Sequence, residues 1–304
     1  MQERKPMIMI QCGIDEIEWD YGVYPGGEVR VRLVQDKPAA FPKMMHTITA
    51  HIRSSNDVMA LLLLSNALRE AGVDSQQLHL PYVPYARQDR VAVFGDPLAI
   101  DVFASLIKAC NFHSVYVDDI HSDAALAHFS KCVHPMSVFA YTLTDILPNI
   151  FAPNHFENTM YMVAPDLGST KKVQTVAHVF NTHVVQAYKL RDPKTGKLTE
   201  PKLDLDSLNH SDNEYNYEKL SPDRELMIVD DICDGGGTFI QLYAALIEYT
   251  NKPIDLYVTH GIFSKGLDEL FKRFRNVYCA YCWLPEEQYG PYAKDARFHM
   301  LYQF

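Results

Sequence analysis

One glycine-rich stretch constrains this chain more than any other part of it. The apolar run Leu226–Val229 predicts a buried strand, and two adjacent acids, Asp230 and Asp231, follow it. The next residues are Asp234, Gly235, Gly236, Gly237 and Thr238. A helical pattern then continues to about Tyr249. A strand, a glycine turn and a helix in this order are typical of an anion site, because backbone N–H groups converge at the positive end of the helix.

The residue types around these glycines favour a sugar phosphate as the ligand. Carboxylates accept hydrogen bonds, so Asp230 and Asp231 suit a cis-diol, and Mg²⁺ is another contact open to them. Thr238 is able to cap the helix or to donate to a phosphate oxygen. No lysine follows the glycines, and their spacing differs from G-x-G-x-x-G, so neither the triphosphate loop nor the dinucleotide fingerprint is present. A solvated glycine turn is the alternative, but three acids beside the glycines favour a binding site.

Length and composition limit the class of protein. The 304 residues suffice for two domains, and 47% apolar with 22% charged residues is typical of a soluble globular protein. A net charge of -10 argues against nucleic acid or an anionic membrane as partner. The longest apolar run, Leu61–Leu64, is too short for a membrane span, and the N-terminus lacks a signal-peptide pattern. Cys279 and Cys282 are predicted to be buried thiols on opposite faces of a strand, and a cytoplasmic location is expected.

Strands and helices alternate in both halves, which predicts an α/β fold with mainly parallel sheets flanked by helices. The expected domains are residues 1–142 and 143–304, with similar architecture. The main predicted strands are Met7–Ile10, Val29–Leu33, His46–Ile52, Ser114–Val117, Tyr161–Ala164 and Val184–Tyr188. The predicted helices include Val58–Glu70, capped by the Ser54–Asp57 segment and closed by Gly72, then Pro97–Ala109 and Ser169–Asn181.

A polar stretch from 189 to about 224 has no firm periodicity. A loop of that length inside a compact domain is either disordered or functional. Because it carries charge, it is predicted to be a mobile loop that could close over a reaction.

A second informative stretch lies in the N-terminal half, at Pro81–Arg90. Prolines and aromatic residues alternate there, and Arg87, Gln88, Asp89 and Arg90 follow. Arginine forms forked hydrogen bonds with phosphate and stacks on bases, although a surface Arg/Asp network would look similar. This stretch resembles a signature of the ribose-phosphate diphosphokinases. The glycine-rich stretch of the other half resembles the phosphoribosyl-diphosphate signature of phosphoribosyltransferase-fold proteins.

Further segments resemble motifs of the same family, in the same order, between about residues 8 and 265. They are Tyr24–Glu28, Asp119–His121, Ala164–Lys171, Lys189–Arg191 and Thr259–Phe263. Several matches in the correct order are far more specific than any one of them.

The resemblance implies a fold, a reaction and a set of roles. It implies two phosphoribosyltransferase-like domains, the first binding ATP and the second ribose 5-phosphate, and a homo-oligomer that is a dimer or hexamer. It implies transfer of the diphosphoryl group of ATP to the 1-hydroxyl of ribose 5-phosphate, with Mg²⁺ as cofactor. The nucleotide would contact Tyr24 and Glu28 of a neighbouring subunit, and Arg87, Gln88 and Asp89. Ribose 5-phosphate would contact Asp230, Asp231, Asp234, Gly235, Gly236, Gly237 and Thr238; His121 and Asp166 would hold the metal; Lys189 and Arg191 would be catalytic.

Three departures from the family pattern modify these expectations. Gly26 stands where the family usually has an Asp that reads the adenine amino group, so a strict preference for ATP is in doubt. Val91–Gly95 replaces a basic segment associated with control by phosphate and ADP, so weak regulation is expected. Gly235 replaces a common Thr, which removes one hydroxyl from the phosphate loop.

Other interpretations are open for the whole chain and for single residues. A non-catalytic regulatory homologue would have the same fold, and a phosphoribosyltransferase that consumes phosphoribosyl diphosphate would use the same glycine-rich stretch. Taken singly, His121 could be a helix-entry histidine, Asp166 a helix N-cap, and Lys189 and Arg191 solvated charges.

Overall fold

The chain divides into two compact units, Met1–Tyr141 and Thr142–Gln303, next to the predicted domain boundary. The computed structural model describes residues 4–34, 44–152, 155–156, 159–188, 201–204 and 224–302. Lys189 and Arg191 lie outside the described residues. In the described part of the chain, every helix is too short or too polar to cross a bilayer.

The first unit contains one mainly parallel sheet and a separate hairpin. Its strands are β1 (Met7–Cys12), β2 (Asp15–Glu16), β3 (Trp19–Val23), β4 (Val29–Leu33), β5 (His46–His51), β6 (Gln76–Leu80), β7 (Ser114–Asp118) and β8 (Ser137–Tyr141). Its helices are α1 (Ser55–Glu70), α2 (Ala99–Ala109) and α3 (Asp123–Val133). The sheet order is β2-β1-β5-β6-β7-β8, in which β5 to β8 are parallel and follow chain order, and β3 pairs with β4.

The second unit is built around a longer sheet. Its strands are β9 (Met160–Ala164), β10 (Val184–Tyr188), β11 (Lys202–Asp204), β12 (Glu225–Cys233), β13 (Ile254–Gly261), β14 (Val277–Cys282) and β15 (Phe298–Tyr302). Its helices are α4 (Leu143–Ile146), α5 (Thr170–Val179), α6 (Gly237–Leu246), α7 (Asp268–Phe271) and α8 (Glu286–Tyr289), with a 3₁₀ turn at Leu147–Asn149. The order is β11-β10-β9-β12-β13-β14-β15, and β11 alone is antiparallel to its neighbour among these described strands.

Both sheets are mainly parallel, as predicted, but the two units do not share one strand order. In the first unit the chain steps in one direction from β5 to β8. In the second unit it steps one way from β9 to β10 and the opposite way from β12 to β13. Ligands of open α/β sheets bind at such a reversal, outside the carboxyl ends of the strands. The end of β9 and β12 is therefore the expected binding position in this unit.

Local sequence signals account for helix α1. The Ser54 hydroxyl accepts a hydrogen bond from the Asp57 N–H at 3.2 Å, and the Asp57 carboxylate accepts one from the Arg53 N–H at 2.7 Å. Gly72, at φ +87°, follows the last turn in a conformation that favours glycine. The predicted capping segment and the closing glycine are both confirmed.

Two expectations for the second unit need correction. The predicted loop from 189 to 224 contains a strand, because β11 pairs with β10. Cys279 and Cys282 are buried, as predicted, but belong to one core cluster rather than to opposite faces. Burial, followed by the neighbouring Cys282 thiol, raises the pKa of Cys279 well above its usual value. The Cys279 thiol therefore remains a protonated core group.

A charge network ties the amino ends of β12 and β13 to the turn before β14. The Arg275 guanidinium donates to both oxygens of Asp255 at 3.0 and 2.6 Å, and to both oxygens of Glu225 at 2.7 and 2.6 Å. The backbone N–H of Asn276 also donates to Asp255 at 3.1 Å. Because the Asp255 side chain is only 2% exposed, loss of its cation would leave a charge in a poorly solvated place.

We expect Arg275→Ala to lower the free energy of unfolding by about 2–4 kcal/mol, because it strands the buried Asp255 carboxylate. Arg273→Ala is the matched control, since Arg273 pairs with the exposed Glu269 and such pairs contribute less than about 1 kcal/mol. Urea unfolding followed by circular dichroism measures both. Equal losses in the two variants would contradict the importance of the network.

Candidate active site

The carboxylates of the glycine-rich stretch lie within a strand rather than after it. Strand β12 was predicted to end at Val229 but continues to Cys233, because β13 pairs with it as far as Gly261. On the other side, β9 pairs with β12 only up to Ile228. Asp230 and Asp231 therefore lie just past the end of the β9 pairing, at the reversal of strand order. Their position matches the crevice where open α/β sheets bind ligands.

Two neighbouring carboxylates act on Asp230 in this crevice. Burial, then the charges of Asp231 and Asp166, raise the pKa of Asp230 well above its usual value. The Asp231 N–H donates to Asp230 Oδ1 at 3.0 Å and offsets only part of this effect. Such a group of acceptors suits hydroxyl donors or a cation, either of which would relieve the repulsion.

Asp166 follows β9 and shapes the turn that leads into α5. Its Oδ1 atom accepts hydrogen bonds from the Gly168 and Ser169 N–H groups at 2.8 and 3.0 Å. A Cβ atom on Gly168 would lie 3.1 Å from the same oxygen, so a side chain there would press on the carboxylate. The N-cap interpretation of Asp166 is wrong, because Ser169 is the N-cap of α5 and Asp166 instead braces the turn before it. Asp166 also acts electrostatically on Asp230.

The glycine loop leads from β12 to the N-terminus of α6 and is tied to the segment that follows β13. The Cys233 carbonyl accepts from the N–H groups of Ile262 and Phe263, at 2.9 and 3.1 Å. Asp234 Oδ1 accepts from the Ser264 hydroxyl at 2.6 Å. Gly236 is the N-cap of α6 at φ +74°, and Thr238 is exposed in the first turn. The loop therefore presents the free N–H groups of a helix start, which suit a phosphate.

In the first unit, the predicted nucleotide residues follow β6, next to the end of β7. Arg87 and Gln88 are exposed, and the turn before them places Tyr85 at φ +66°, with the Gln88 N–H donating to the Tyr85 carbonyl at 2.8 Å. Asp89, in contrast, is buried and accepts from Arg90 Nε at 2.9 Å. The bond from Arg90 is the largest cause that lowers the pKa of Asp89. The direct nucleotide contact expected of Asp89 is not supported by this position.

Asp89 instead fixes the backbone next to His121. The Ser122 hydroxyl donates to Asp89 Oδ2 at 2.5 Å and accepts from the Ala125 N–H at 2.9 Å, so it caps α3. His121 is exposed at the residue before this cap. Sequence reasoning missed Ser122, although a serine before a helical run is a usual N-terminal signal. It also missed Ser264, for which no local signal exists.

Tyr24 and Glu28 close the turn between β3 and β4. The Tyr24 N–H donates to the Glu28 carbonyl at 2.9 Å, and Gly27 adopts φ +91°. Both side chains are exposed. Their contact with a nucleotide in a neighbouring subunit stays a prediction.

Comparison with known proteins finds relatives that align with most of the chain. Residues 5–110 match the model for the N-terminal domain of ribose phosphate pyrophosphokinase. A ribose-phosphate pyrophosphokinase of Pyrococcus abyssi is 28% identical over 270 residues, which cover 87% of this chain and 83% of that protein. One of Caldanaerobacter subterraneus is 25% identical, covering 86% and 75%. Over most of its length the chain is similar to ribose-phosphate pyrophosphokinases.

The fold of the family extends over nearly the whole chain. The crystal structure of a phosphoribosylpyrophosphate synthetase from Mycobacterium smegmatis superposes with a TM-score of 0.71 at 18% identity, covering 94% of this chain and 86% of that one. The predicted fold class, two phosphoribosyltransferase-like domains with mainly parallel sheets, is confirmed. The roles of the individual site residues stay predictions.

Asp230→Asn tests the electrostatic conflict in the crevice. A carboxyl whose folded pKa is raised above the unfolded value near 3.8 binds more protons in the folded state between those values. Stability therefore falls as pH rises through that window, and the loss persists at neutral pH. We expect Asp230→Asn to raise the free energy of unfolding at pH 7 by about 1 kcal/mol and to flatten this slope.

Asp295→Asn is the control, because Arg297 lowers the pKa of that carboxyl to about 2 and its removal cannot stabilise the protein at pH 7. Thermal unfolding between pH 4 and 8 compares the two variants. A loss of stability in Asp230→Asn at pH 7, equal to that of the control, would contradict the assignment.

Proposed function

We propose that this chain transfers the diphosphoryl group of ATP to the 1-hydroxyl of ribose 5-phosphate, giving 5-phosphoribosyl 1-diphosphate and AMP. The observation that carries the proposal is the crevice in the second unit, where Asp230 and Asp231 stand beside a glycine loop at the strand-order reversal. The related proteins of Pyrococcus and Caldanaerobacter, both named ribose-phosphate pyrophosphokinase, support it.

In the proposed second-unit site, acids and backbone amides divide the substrate between them. Asp230 and Asp231 accept hydrogen bonds from the ribose hydroxyls, which are donors suited to crowded carboxylates. The N–H groups of Gly235, Gly236, Gly237 and Thr238 receive the 5-phosphate at the start of α6. Asp234 braces this loop through Ser264.

In the proposed first-unit site, Arg87 and Gln88 bind the nucleotide from the exposed turn after β6. Arginine suits this role because its guanidinium forms paired hydrogen bonds with phosphate oxygens. Asp89 holds the supporting backbone through Ser122. Tyr24 and Glu28 extend the nucleotide site of a neighbouring copy, which requires a homo-oligomer, a dimer or a hexamer.

The described residues suit Mg²⁺ that is held mainly by substrate phosphates and water, with few protein ligands. Among the described residues, no group of three His, Cys, Asp or Glu side chains is arranged to hold a metal ion. Mg²⁺ commonly uses one or two carboxylates and completes its coordination with water and substrate phosphates. Asp166 supplies such a carboxylate in the second unit, and the exposed His121 is the metal-binding residue proposed in the first unit. When bound, Mg²⁺ would neutralise charge on the phosphate oxygens.

The remaining part of the mechanism belongs to the cationic residues of the 189–224 segment. Transfer of a diphosphoryl group spreads negative charge over oxygens that need alignment and stabilisation. Lys189 and Arg191 supply that stabilisation in the proposal, because fixed cations act most strongly where water is excluded. Both side chains would act on the reaction rather than on folding.

Lys189→Ala and Arg191→Ala test these roles together with the reaction. Wild-type protein, ribose 5-phosphate, ATP and Mg²⁺ are expected to release AMP, and each variant should lower kcat by about 100-fold or more. The unfolding midpoint should stay unchanged. Lys197→Ala, a change of the same type in the same segment, should keep near-normal kcat.

The outcomes separate the competing functions. Variants with near-normal turnover would remove Lys189 and Arg191 from the mechanism. A wild-type protein that releases no AMP from any nucleoside triphosphate would favour a regulatory homologue. Consumption of phosphoribosyl diphosphate with a free base would favour a phosphoribosyltransferase.

Gly26→Asp tests the proposed nucleotide preference. The backbone tolerates a side chain at Gly26, because an added Cβ would meet only Glu28 Oε2, at the ordinary contact distance of 3.8 Å. We expect wild-type protein to use ATP and GTP with similar kcat/KM, and Gly26→Asp to favour ATP by about tenfold, as one new hydrogen bond would. Gly27→Asp is the positional control, since φ +91° there strains any side chain. If the ratio of kcat/KM for ATP to kcat/KM for GTP were unchanged in Gly26→Asp, residue 26 would not determine the nucleotide preference.

A further inference from the structure

A lysine outside the glycine-rich stretch lies directly on it. After β13 the chain returns to the glycine loop, where the Ser264 N–H donates to the Asp234 carbonyl at 3.1 Å and its hydroxyl to the Asp234 carboxylate at 2.6 Å. Lys265 is the next residue. Gly266 follows at φ +73°, and its N–H donates to the Phe263 carbonyl at 2.7 Å. The backbone on both sides of Lys265 is therefore fixed.

The Lys265 side chain packs tightly against the position that a side chain at Gly235 would take. A Cβ atom built on Gly235 would lie 3.3 Å from both Cδ and Cε of Lys265, and 3.5 Å from Cγ. The aliphatic part of Lys265 thus packs over the glycine, and the ammonium group is one bond beyond Cε. The neighbouring Gly236 is covered in the same way by Leu270, at 3.0 Å from its added Cβ position. Gly235 and Gly236 thus leave room for the Lys265 and Leu270 side chains, respectively.

The residues around the glycine loop lack a positive charge that could attract a phosphate, and Lys265 supplies one. Asp234, Gly235, Gly236, Gly237 and Thr238 include no basic residue. The nearby strand contributes the crowded acids Asp230 and Asp231, which oppose the approach of an anion. Lys265 is exposed, and among the described residues its ammonium group forms no ion pair. A flexible ammonium group offers three donors to a phosphate.

We propose that Lys265 binds the terminal phosphate of the sugar substrate, and that Gly235 lacks a side chain so that Lys265 can reach it. The inference rests on the proposed function, because it assigns a further residue to the same sugar-phosphate site. Lys265 is a binding residue in this proposal and does not contact the bonds that form and break during transfer. Its loss is expected to lower the affinity for ribose 5-phosphate and to leave kcat unchanged.

Lys265→Met is the direct test, because methionine keeps a long apolar stem over Gly235 and removes only the charge. We expect KM for ribose 5-phosphate to rise about 10- to 100-fold, the effect of one lost charged hydrogen bond, while kcat and KM for ATP stay within about twofold. Lys265→Arg should restore most of the affinity. Lys252→Met is the matched control, since Lys252 is exposed before β13, at the opposite end of that strand, and should leave every constant unchanged.

A second pair of variants tests the relation between Gly235 and Lys265. Gly235→Ala should displace the lysine stem and raise KM for ribose 5-phosphate, whereas the same change in a Lys265→Ala background should have little further effect. Full additivity of the two changes would overturn the proposed coupling. An unchanged KM in Lys265→Met, with active wild-type protein, would overturn the role of Lys265.

Failure of the proposed function can be distinguished from failure of the role proposed for Lys265. If wild-type protein released no AMP, the proposed function would fail, and calorimetric titration with ribose 5-phosphate would then decide the role of Lys265 without turnover. A Kd raised at least tenfold in Lys265→Met, and unchanged in Lys252→Met, supports the inference. Equal Kd values for wild type and Lys265→Met overturn it.

Discussion

Crowding of carboxylates just past the pairing of β9 with β12 is the constraint on which the second unit depends. Asp230 is held beside Asp231 and within the electrostatic reach of Asp166, and its pKa rises as a result. Such an arrangement costs stability, so the surrounding fold has to hold it in place. The parallel pairing of β12 with β13 does this, because it continues past Asp230 to Cys233. Functional sites often retain groups that destabilise the folded protein in this way.

In the first unit, a buried carboxylate fixes the segments that carry the exposed residues Arg87 and His121. Asp89 is buried, and its bonds to Arg90 and Ser122 connect the loop after β6 to the start of α3. The exposed residues Arg87 and His121 each lie close in sequence to this buried link. When one internal carboxylate fixes the backbone of a loop, the positions of the exposed side chains on that loop are also restricted. Each of these side chains then needs no anchoring bond of its own. Asp89 therefore anchors from beneath the loop that carries the predicted nucleotide residues.

Sequence alone predicted the elements whose signals are local. The cap at Ser54, the glycine after α1, and the strand, glycine turn and helix that begin at 226 all follow from short patterns, although α6 ends at Leu246 rather than near Tyr249. The end of β12 was placed too early because the pairing of Asp230 with the region of Val258 is a long-range contact. Strand β11 was missed because three residues in a polar segment give no periodic signal. The family resemblance supplied the roles of the site residues, which local patterns could not have assigned.

The distribution of charge over the elements is compatible with the two phosphate-bearing substrates of the proposed reaction. The acids Asp230 and Asp231 lie on a strand, whereas the cations Arg87 and Lys265 lie on segments that follow strands β6 and β13. A strand keeps its carboxylates in place at fixed separations, and long basic side chains on loops retain freedom to meet a ligand. With a net charge of -10, a phosphate would be repelled by the chain as a whole and attracted only where such cations and helix N–H groups converge. Because Gly235 leaves space for Lys265 on the loop itself, the second unit brings a cation and a helix start together at one point.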